Sequence, residues 1–491
     1  MNTKQFKFWL FLAILINFFL TLSLTPLFNL DEGAFSEATR EMLHNHNYIT
    51  TFLNGEYRFD KPILIYWLQL LSIKIFGINE FAFRFPSAVA ATFWALGIYF
   101  FTKKIYNEKT ALISSFLMVT TLQIGLIAKA AIADSLLNMF IAFSMFSIFL
   151  YLKEKKEKYL LFAFAFIGFG TLTKGPVAIM IPLVATFIYM LIKKEIKEFF
   201  KMVFNIKGIL IFLIITLPWY IAEYIQTGDK FIEGFILKHN IHRFTSPMEH
   251  HRGNYFYYIP VVLIGLLPWS SLFITYLIKL KNLIKNDFTL FGSIWFFFVF
   301  LFFSISGTKL PHYVIYGYTP LFIFMALMTD KIKEKYLSPP LILFILLLLA
   351  LPFVLENVKN TEVHLAYTAI KPYFDWFYFL SLIFLLVLSL IKLKEFKIIF
   401  LGFSSIFILN YVGWIYAHAR AIPVKEAAVW AKKHNIKKVY LKTDLPSFSV
   451  YFNKITPKEP KKGEIALLKI TKTKGYKIIY KNGLIALGVK K

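Results

Sequence analysis

LDEGAFSEATREM at residues 30–42 and FDKPILIYWL at residues 59–68 lie between the first and second apolar runs of the chain. Asp31 and Glu32 fall where an apolar run ends. Ionisable groups at the edge of a hydrocarbon layer are costly and commonly mark function. Lys61 and Pro62 follow on the same loop. An acidic pair and a lysine at the mouth of a helical bundle point to chemistry on a charged, lipid-linked substrate.

The rest of the chain supports that setting. Of 491 residues, 58% are hydrophobic, 57 are Phe and only 17% are charged. A water-soluble chain of this length carries far more charge. The net charge of +27 comes largely from lysines in short loops between apolar runs. That pattern records membrane topology and contact with anionic membrane lipid, not nucleic-acid binding. With no cysteine, disulfides, thiolate catalysis and cysteine metal sites are excluded. The first run, near 8–27, lacks a small-residue cleavage site and reads as a retained helix.

A spanning helix needs roughly 20 apolar residues. Such runs lie near 8–27, 84–101, 110–127, 134–152, 159–173, 175–192, 207–224, 254–277, 289–305, 311–328, 339–355, 374–391 and 397–416. The expectation is an all-α, multi-pass membrane protein with about thirteen transmembrane helices. The loops at 103–109, 153–158, 193–201, 279–285, 330–335 and 392–397 are short and lysine-rich. They place the N-terminus in the cytoplasm and the alternate loops outside. Within the outer loop 28–83, SEATREMLHN and KPILIYWLQLLSIKIFG read as interfacial helices, because a further crossing there breaks the lysine alternation. Residues 1–416 thus form a transmembrane domain. Residues 417–491 form a small outer-face α/β domain, with strands at KKVYLKT, EIALLKI and YKIIYKN and an Asn-Gly hairpin turn at 482–483.

By the same alternation, acids, bases and aromatics from separate loops share the outer face, as an active site requires. Asp31, Glu32 and Asp134 are the candidate catalytic acids. Asp60, Lys61, Arg84, Lys129, Lys174, Arg243, His251, Arg252, Lys309 and His312 are the candidate substrate contacts. Simpler roles exist for several. Asp31 and Asp134 suit helix caps, and Lys61 suits a lysine snorkelling from an interfacial helix. Lys129 suits a structural pair with Asp134, and His250–Arg252 an exposed basic patch. No spacing calls for a metal or cofactor. A transporter or flippase should show internal repeats and charges at mid-membrane, and neither is visible here.

LDEGAFSEATREM, the N-G…FDKP…YWL stretch, INEFAFRFPSAVAA, AIADSLL, TLTKGPVA, NIHRF…HHRGNYFYYIPVVLIGLLPWS and SGTKLPHYVIYGYTP occur in that order between about residues 25 and 330. Together they resemble the bacterial 4-amino-4-deoxy-L-arabinose transferases of lipid A and the related protein mannosyltransferases, glycosyltransferases of the GT-C fold. The resemblance implies a polyprenyl-phosphate (undecaprenyl-phosphate) sugar donor and transfer at the periplasmic face of the inner membrane to lipid A or another envelope acceptor. It implies an acidic centre at Asp31 and Asp134, with Lys61 on the donor phosphate and Arg243, His251, Arg252 and Tyr313 lining the cavity. Two positions depart from the arabinose enzymes. Ala34 stands where they carry arginine, and Asp60 stands where Glu is usual. The sugar therefore stays open.

The expected chemistry follows from the leaving group. A departing lipid phosphate needs a cation more than a proton, supplied by Lys61, Arg84 or Arg252. A carboxylate favours the oxocarbenium-like sugar. A hydroxyl acceptor requires Asp31 as general base, whereas a phosphate acceptor requires none. A single in-line displacement inverts the anomeric carbon.

Overall fold

The structure is a computed structural model that describes residues 2–242 and 253–491. Long apolar helices form because their backbone polar groups must be satisfied internally in lipid. Among the described residues, seven helices are long and apolar enough to cross a membrane: Thr3–Leu20, Glu80–Ile105, Asp134–Glu154, Ile206–Thr227, Asp287–Ile305, Glu334–Glu356 and Lys397–Arg420. Two bent pairs bring the number to nine. Glu108–Thr120 and Leu122–Ala128 meet at 70°, and Thr361–Tyr373 and Trp376–Leu390 at 80°. The protein is a multi-pass membrane protein.

The count of thirteen is not reproduced, for local physical reasons. The run at 159–173 becomes Glu157–Lys174, whose ends are charged. The run at 175–192 yields only Val177–Ile192, of 16 residues. The run at 254–277 splits into Tyr258–Gly265 and Ser270–Leu283 around Pro268. The run at 311–328 opens as a 3₁₀ segment, Pro311–Gly317, before the ten-residue helix Thr319–Met328.

The first outer loop carries two helices, Asp31–Asn45 and Leu64–Phe76. Between them strands β1 (Phe52–Leu53) and β2 (Glu56–Tyr57) pair antiparallel. Asn54 and Gly55 make the turn with φ of 54° and 83°, the left-handed pair that a tight hairpin demands. Glu41 holds this turn by accepting from the backbone N–H of Asn54 and, at 3.0 Å, of Gly55. The hairpin thereby delivers Arg58, Asp60 and Lys61 back toward the start of the Asp31 helix.

The chain ends in a small α/β unit. After the helix Ile422–Lys433 come β3 (Tyr440–Leu441), the short helix Ser447–Phe452, β4 (Ile465–Lys469), β5 (Tyr476–Asn482) and β6 (Ile485–Lys490). The sheet order is β3-β4-β6-β5, with β3 parallel to β4 and the other pairs antiparallel. The Asn482–Gly483 turn joins β5 to β6, as its composition suggests.

This unit grips the outer loop. Ser447 Oγ donates to Asn29 Oδ1 at 2.6 Å. Asn54 Oδ1 accepts from Ser449 and Thr456 at 2.8 and 2.9 Å. Tyr451 Oη accepts from Leu27 N–H at 2.6 Å and donates to Glu80, which also pairs with Lys425 at 2.6 Å. The backbones also pack tightly at Gly33, where an added Cβ would stand 2.5 Å from the backbone nitrogen of Ser447. Backbone cannot yield as a flexible side chain can. Gly33→Val should therefore lift the 447–452 helix from the Asp31 helix. Limited proteolysis of the detergent-purified protein should then cut within 434–463 much faster than in wild type, and an unchanged pattern contradicts this packing.

Candidate active site

One polar cavity is lined by Asp31, Phe35, Arg58, Asp60, Lys61, Asp134, Lys174, His312 and Tyr313, with Ile132 and Leu310. These residues come from the outer loop, the starts or ends of three helices and the 3₁₀ segment at 311–317.

Asp31 opens its helix. Leu30 before it holds φ 67° and ψ −93°, a strained conformation for a residue with a side chain. The following residues Glu32 to Met42 are all buried, while Asp31 itself is exposed. Among the described residues no hydrogen bond or ion pair engages the Asp31 carboxylate. It is a negative charge presented to the cavity and unspent on structure.

Asp134 is different. Its Oδ1 accepts from Lys174 Nζ and from Tyr316 Oη, both at 2.7 Å, and His312 Nε2 lies 3.8 Å away. Lys174 reaches Tyr316 Oη at 2.7 Å and lies over the rings of Tyr313 and Tyr316. Helix 157–174 thus ends by placing a cation on the acid that begins helix 134–154. A carboxylate so compensated is a poor proton acceptor and a firm anchor.

Two cations from the outer loop line the same cavity. Lys61 Nζ donates to the Asp60 carbonyl at 2.8 Å. Arg58 pairs with Asp60 Oδ2 at 3.0 Å, donates to Tyr66 Oη at 3.2 Å and lies over the Phe35 ring. Burial opposes the Arg58 charge, but Tyr66, Asp60 and Asp31 outweigh it and raise its pKa. A guanidinium fixed by ring, phenol and carboxylate is preorganised for an anion. Arg58, Tyr66 and Tyr316 were not among the residues singled out from the sequence. The available signal for Arg58 was a basic residue two places before Asp60 on the loop already suspected.

The other candidate residues are placed elsewhere. Glu32 is buried and paired with Arg84, its Oε1 accepting from Arg84 Nε and Ala131 N–H, both at 2.8 Å. Its Oε2 accepts from Arg84 Nη2 at 2.8 Å and Phe28 N–H at 2.9 Å. Arg84 spends its remaining N–H groups on the carbonyls of Leu22, Thr25 and Pro26. Neither lines the Asp31 cavity. Lys129 does not pair with Asp134 but donates to Asn17 and Asn410. Lys309 donates to the carbonyls of Ser304 and Ser306, closing the end of helix 287–305, and burial lowers its pKa. Arg243, His251 and Arg252 lie outside the described residues. Among the described residues no group of three acidic or imidazole side chains has metal-binding geometry.

The fold and this cavity define a class, the GT-C membrane proteins. Residues 60–221 match the family described as dolichyl-phosphate-mannose-protein mannosyltransferase. The chain is 30% identical over 349 residues to an undecaprenyl phosphate-alpha-4-amino-4-deoxy-L-arabinose arabinosyl transferase of Wigglesworthia glossinidia brevipalpis, covering 68% of this chain and 60% of that one. It is 32% identical to an uncharacterized protein of Aquifex aeolicus, over 66% of this chain and 73% of that one. The crystal structure of ArnT from Cupriavidus metallidurans bound to undecaprenyl phosphate superposes with TM-score 0.85 at 16% identity, over 99% of this chain and 98% of that one. The protein belongs to the GT-C-fold family of ArnT-like glycosyltransferases. It spans about 60% of the length of the arabinosyl transferase relatives it matches.

The two adjacent acids give contrasting predictions. Glu32→Gln leaves the Arg84 guanidinium buried without its counter-charge, which typically costs about 3–5 kcal/mol. Asp31→Asn removes an exposed, unpaired charge and should leave folding intact. Thermal unfolding in detergent should show a large loss for Glu32→Gln and almost none for Asp31→Asn. Equal losses would contradict the division of labour between them.

Proposed function

We propose that this protein transfers a sugar from a polyprenyl-phosphate donor to an acceptor of the bacterial envelope. The observation that carries the reading is the Asp31 cavity, which an unspent carboxylate lines together with Lys61, Arg58 and the compensated Asp134–Lys174 pair. The matches to an undecaprenyl-phosphate-sugar transferase and to a dolichyl-phosphate-mannose transferase support a lipid-phosphate donor. The arabinosyl transferase relatives favour lipid A as acceptor. The lysine-rich loops favour a cytoplasmic N-terminus, with the cavity and the 417–491 domain on the periplasmic side of the inner membrane.

In this reading Lys61 and Arg58 hold the donor phosphate. The bond from the anomeric carbon to the phosphate oxygen breaks, and its electron pair leaves with the lipid phosphate. The two cations stabilise that developing charge. The acceptor oxygen attacks the opposite face, so the anomeric configuration inverts. Asp31 lies against the positive charge developing on the sugar ring, and it takes the proton when the acceptor is a hydroxyl. Asp134, tied to Lys174 and Tyr316, fixes the floor of the cavity. The match over residues 60–221 keeps a second reading in view, a protein hydroxyl as acceptor.

Purified protein supplied with undecaprenyl-phosphate-linked sugar and either lipid A or envelope glycoprotein acceptor tests both. Asp31→Asn should lower kcat by about 100-fold or more with a hydroxyl acceptor. Full activity in that variant would remove Asp31 from the chemistry. Lys61→Ala and Arg58→Leu should each raise the KM for donor and slow transfer to every acceptor. Lys61→Arg should restore only part of the rate, because a planar guanidinium does not replace a compact ammonium. An altered acceptor preference with an unchanged donor KM would move these cations to the acceptor side.

A further inference from the structure

Toward the membrane face opposite the Asp31 cavity, a second cavity of about 250 Å³ lies among helices 134–154, 157–174, 177–192, 196–203 and 206–227. Its position follows from helix direction. Helix 157–174 ends at Lys174 beside Asp134. Leu160, fourteen residues earlier, therefore lies about 21 Å along the helix toward the other face. Leu160, Leu183, Phe199 and Phe212 give the cavity an apolar wall. Leu183 is 40% exposed, so the cavity opens onto the lipid-facing side of the bundle.

Thr186 is the single hydroxyl in this lining. It is 3% exposed, and its Oγ1 has no hydrogen-bond partner among the described residues. Thr171, Thr173 and Thr216 in adjacent helices each donate to the carbonyl four residues back at 2.8 Å, the usual outlet for a helical threonine. A buried hydroxyl without a partner is costly. Thr186 therefore calls for a ligand that is apolar along its length and carries a hydrogen-bond acceptor. An acyl chain with its ester carbonyl has that chemistry.

The rim of the cavity is basic. Helix 177–192 runs on into Lys193 and Lys194, and helix 196–203 buries Phe199 and Met202 while exposing Lys197 and Lys201. Lys193 pairs with Asp287, and Lys201 with Glu198, which also reaches Lys155 at 3.5 Å. Among the described residues no carboxylate pairs with Lys194 or Lys197. Lysine on this face is by itself ordinary membrane anchoring. Here two unpaired lysines border an apolar cavity that holds an unpartnered hydroxyl. Thr186 to Ile192 rises about 9 Å, so an ester at Thr186 carries its phosphate to the lysines.

We propose that this cavity binds an anionic glycerophospholipid from the leaflet opposite the Asp31 cavity. One acyl chain fills the apolar cavity, its ester carbonyl accepts from Thr186, and its phosphate lies over Lys194 and Lys197. The lipid is bound and not consumed. It packs between helices 134–154 and 157–174, whose other ends carry Asp134 and Lys174.

The test is titration of the purified full chain in neutral detergent with dioleoyl phosphatidylglycerol and, separately, dioleoyl phosphatidylcholine, reading the first lipid bound by native mass spectrometry. Phosphatidylglycerol should bind roughly tenfold more tightly, because only its headgroup is a net anion. Thr186→Val keeps the shape, removes the hydroxyl and should weaken phosphatidylglycerol about fivefold. Thr186→Ala replaces it if that variant does not fold, with the same expected loss. Lys194→Gln together with Lys197→Gln should abolish the preference for the anionic headgroup. Saturating undecaprenyl phosphate should leave phosphatidylglycerol bound. Equal affinity of the wild type for the two phospholipids overturns the proposal, as does unchanged binding in Thr186→Val. A loss confined to the lysine variant means adsorption at the surface and overturns it too. Displacement by undecaprenyl phosphate assigns the phospholipid to the Asp31 cavity, with the same consequence.

Discussion

The Glu32–Arg84 pair is the constraint on which the placement of the site depends. An ion pair out of water repays its desolvation only when every remaining polar atom is satisfied. Here each carboxylate oxygen accepts two hydrogen bonds, and the guanidinium also ties the carbonyls at 22, 25 and 26. The knot joins the end of the first spanning segment, the start of the Asp31 helix, helix 80–105 and the loop before Asp134. In a largely apolar interior such a knot adds more to register than to net stability. It fixes the turn of the Asp31 helix, and with it which acid meets the cavity.

From that fixed point the charges sort into two kinds. Asp134 and Lys174 neutralise one another and tie helices 134–154 and 157–174 together at the cavity lining. Asp31, Lys61 and Arg58 are presented by the hairpin and helix of the outer loop, on backbone that the C-terminal unit clasps through Asn29, Asn54 and Glu80. Rigid support around a cluster of charges is the arrangement that lets a site stabilise charge developing during reaction without reorganising. On this account the C-terminal unit acts as a brace for the outer loop.

Much of this was legible in the sequence, and the gaps have physical causes. The apolar runs located the helices, but their lengths did not reveal the 70° break at Thr121 or the division around Pro268. Runs of apolar residues look alike whether straight or bent. Strand β5 and its Asn-Gly turn followed from alternation and turn chemistry, whereas β6, with the continuous run LIALGV, has no alternation to read. Asp31 and Glu32 looked equivalent because they are neighbours. A helix turns about 100° per residue, so only one of two adjacent acids could face the cavity, and tertiary contacts made the choice. Arg58 escaped notice because its value lies in being held by Tyr66 and Phe35, contacts that spacing does not encode.

The central claim is that the Asp31 cavity receives a lipid phosphate and its sugar. An experimental structure with a non-transferable polyprenyl-phosphonate sugar analogue bound measures this directly. The account predicts the phosphonate within hydrogen-bond distance of Lys61 and Arg58, with the anomeric carbon facing the Asp31 carboxylate. A phosphonate bound on the far side of His312 against Lys129, with the sugar turned away from Asp31, would contradict it.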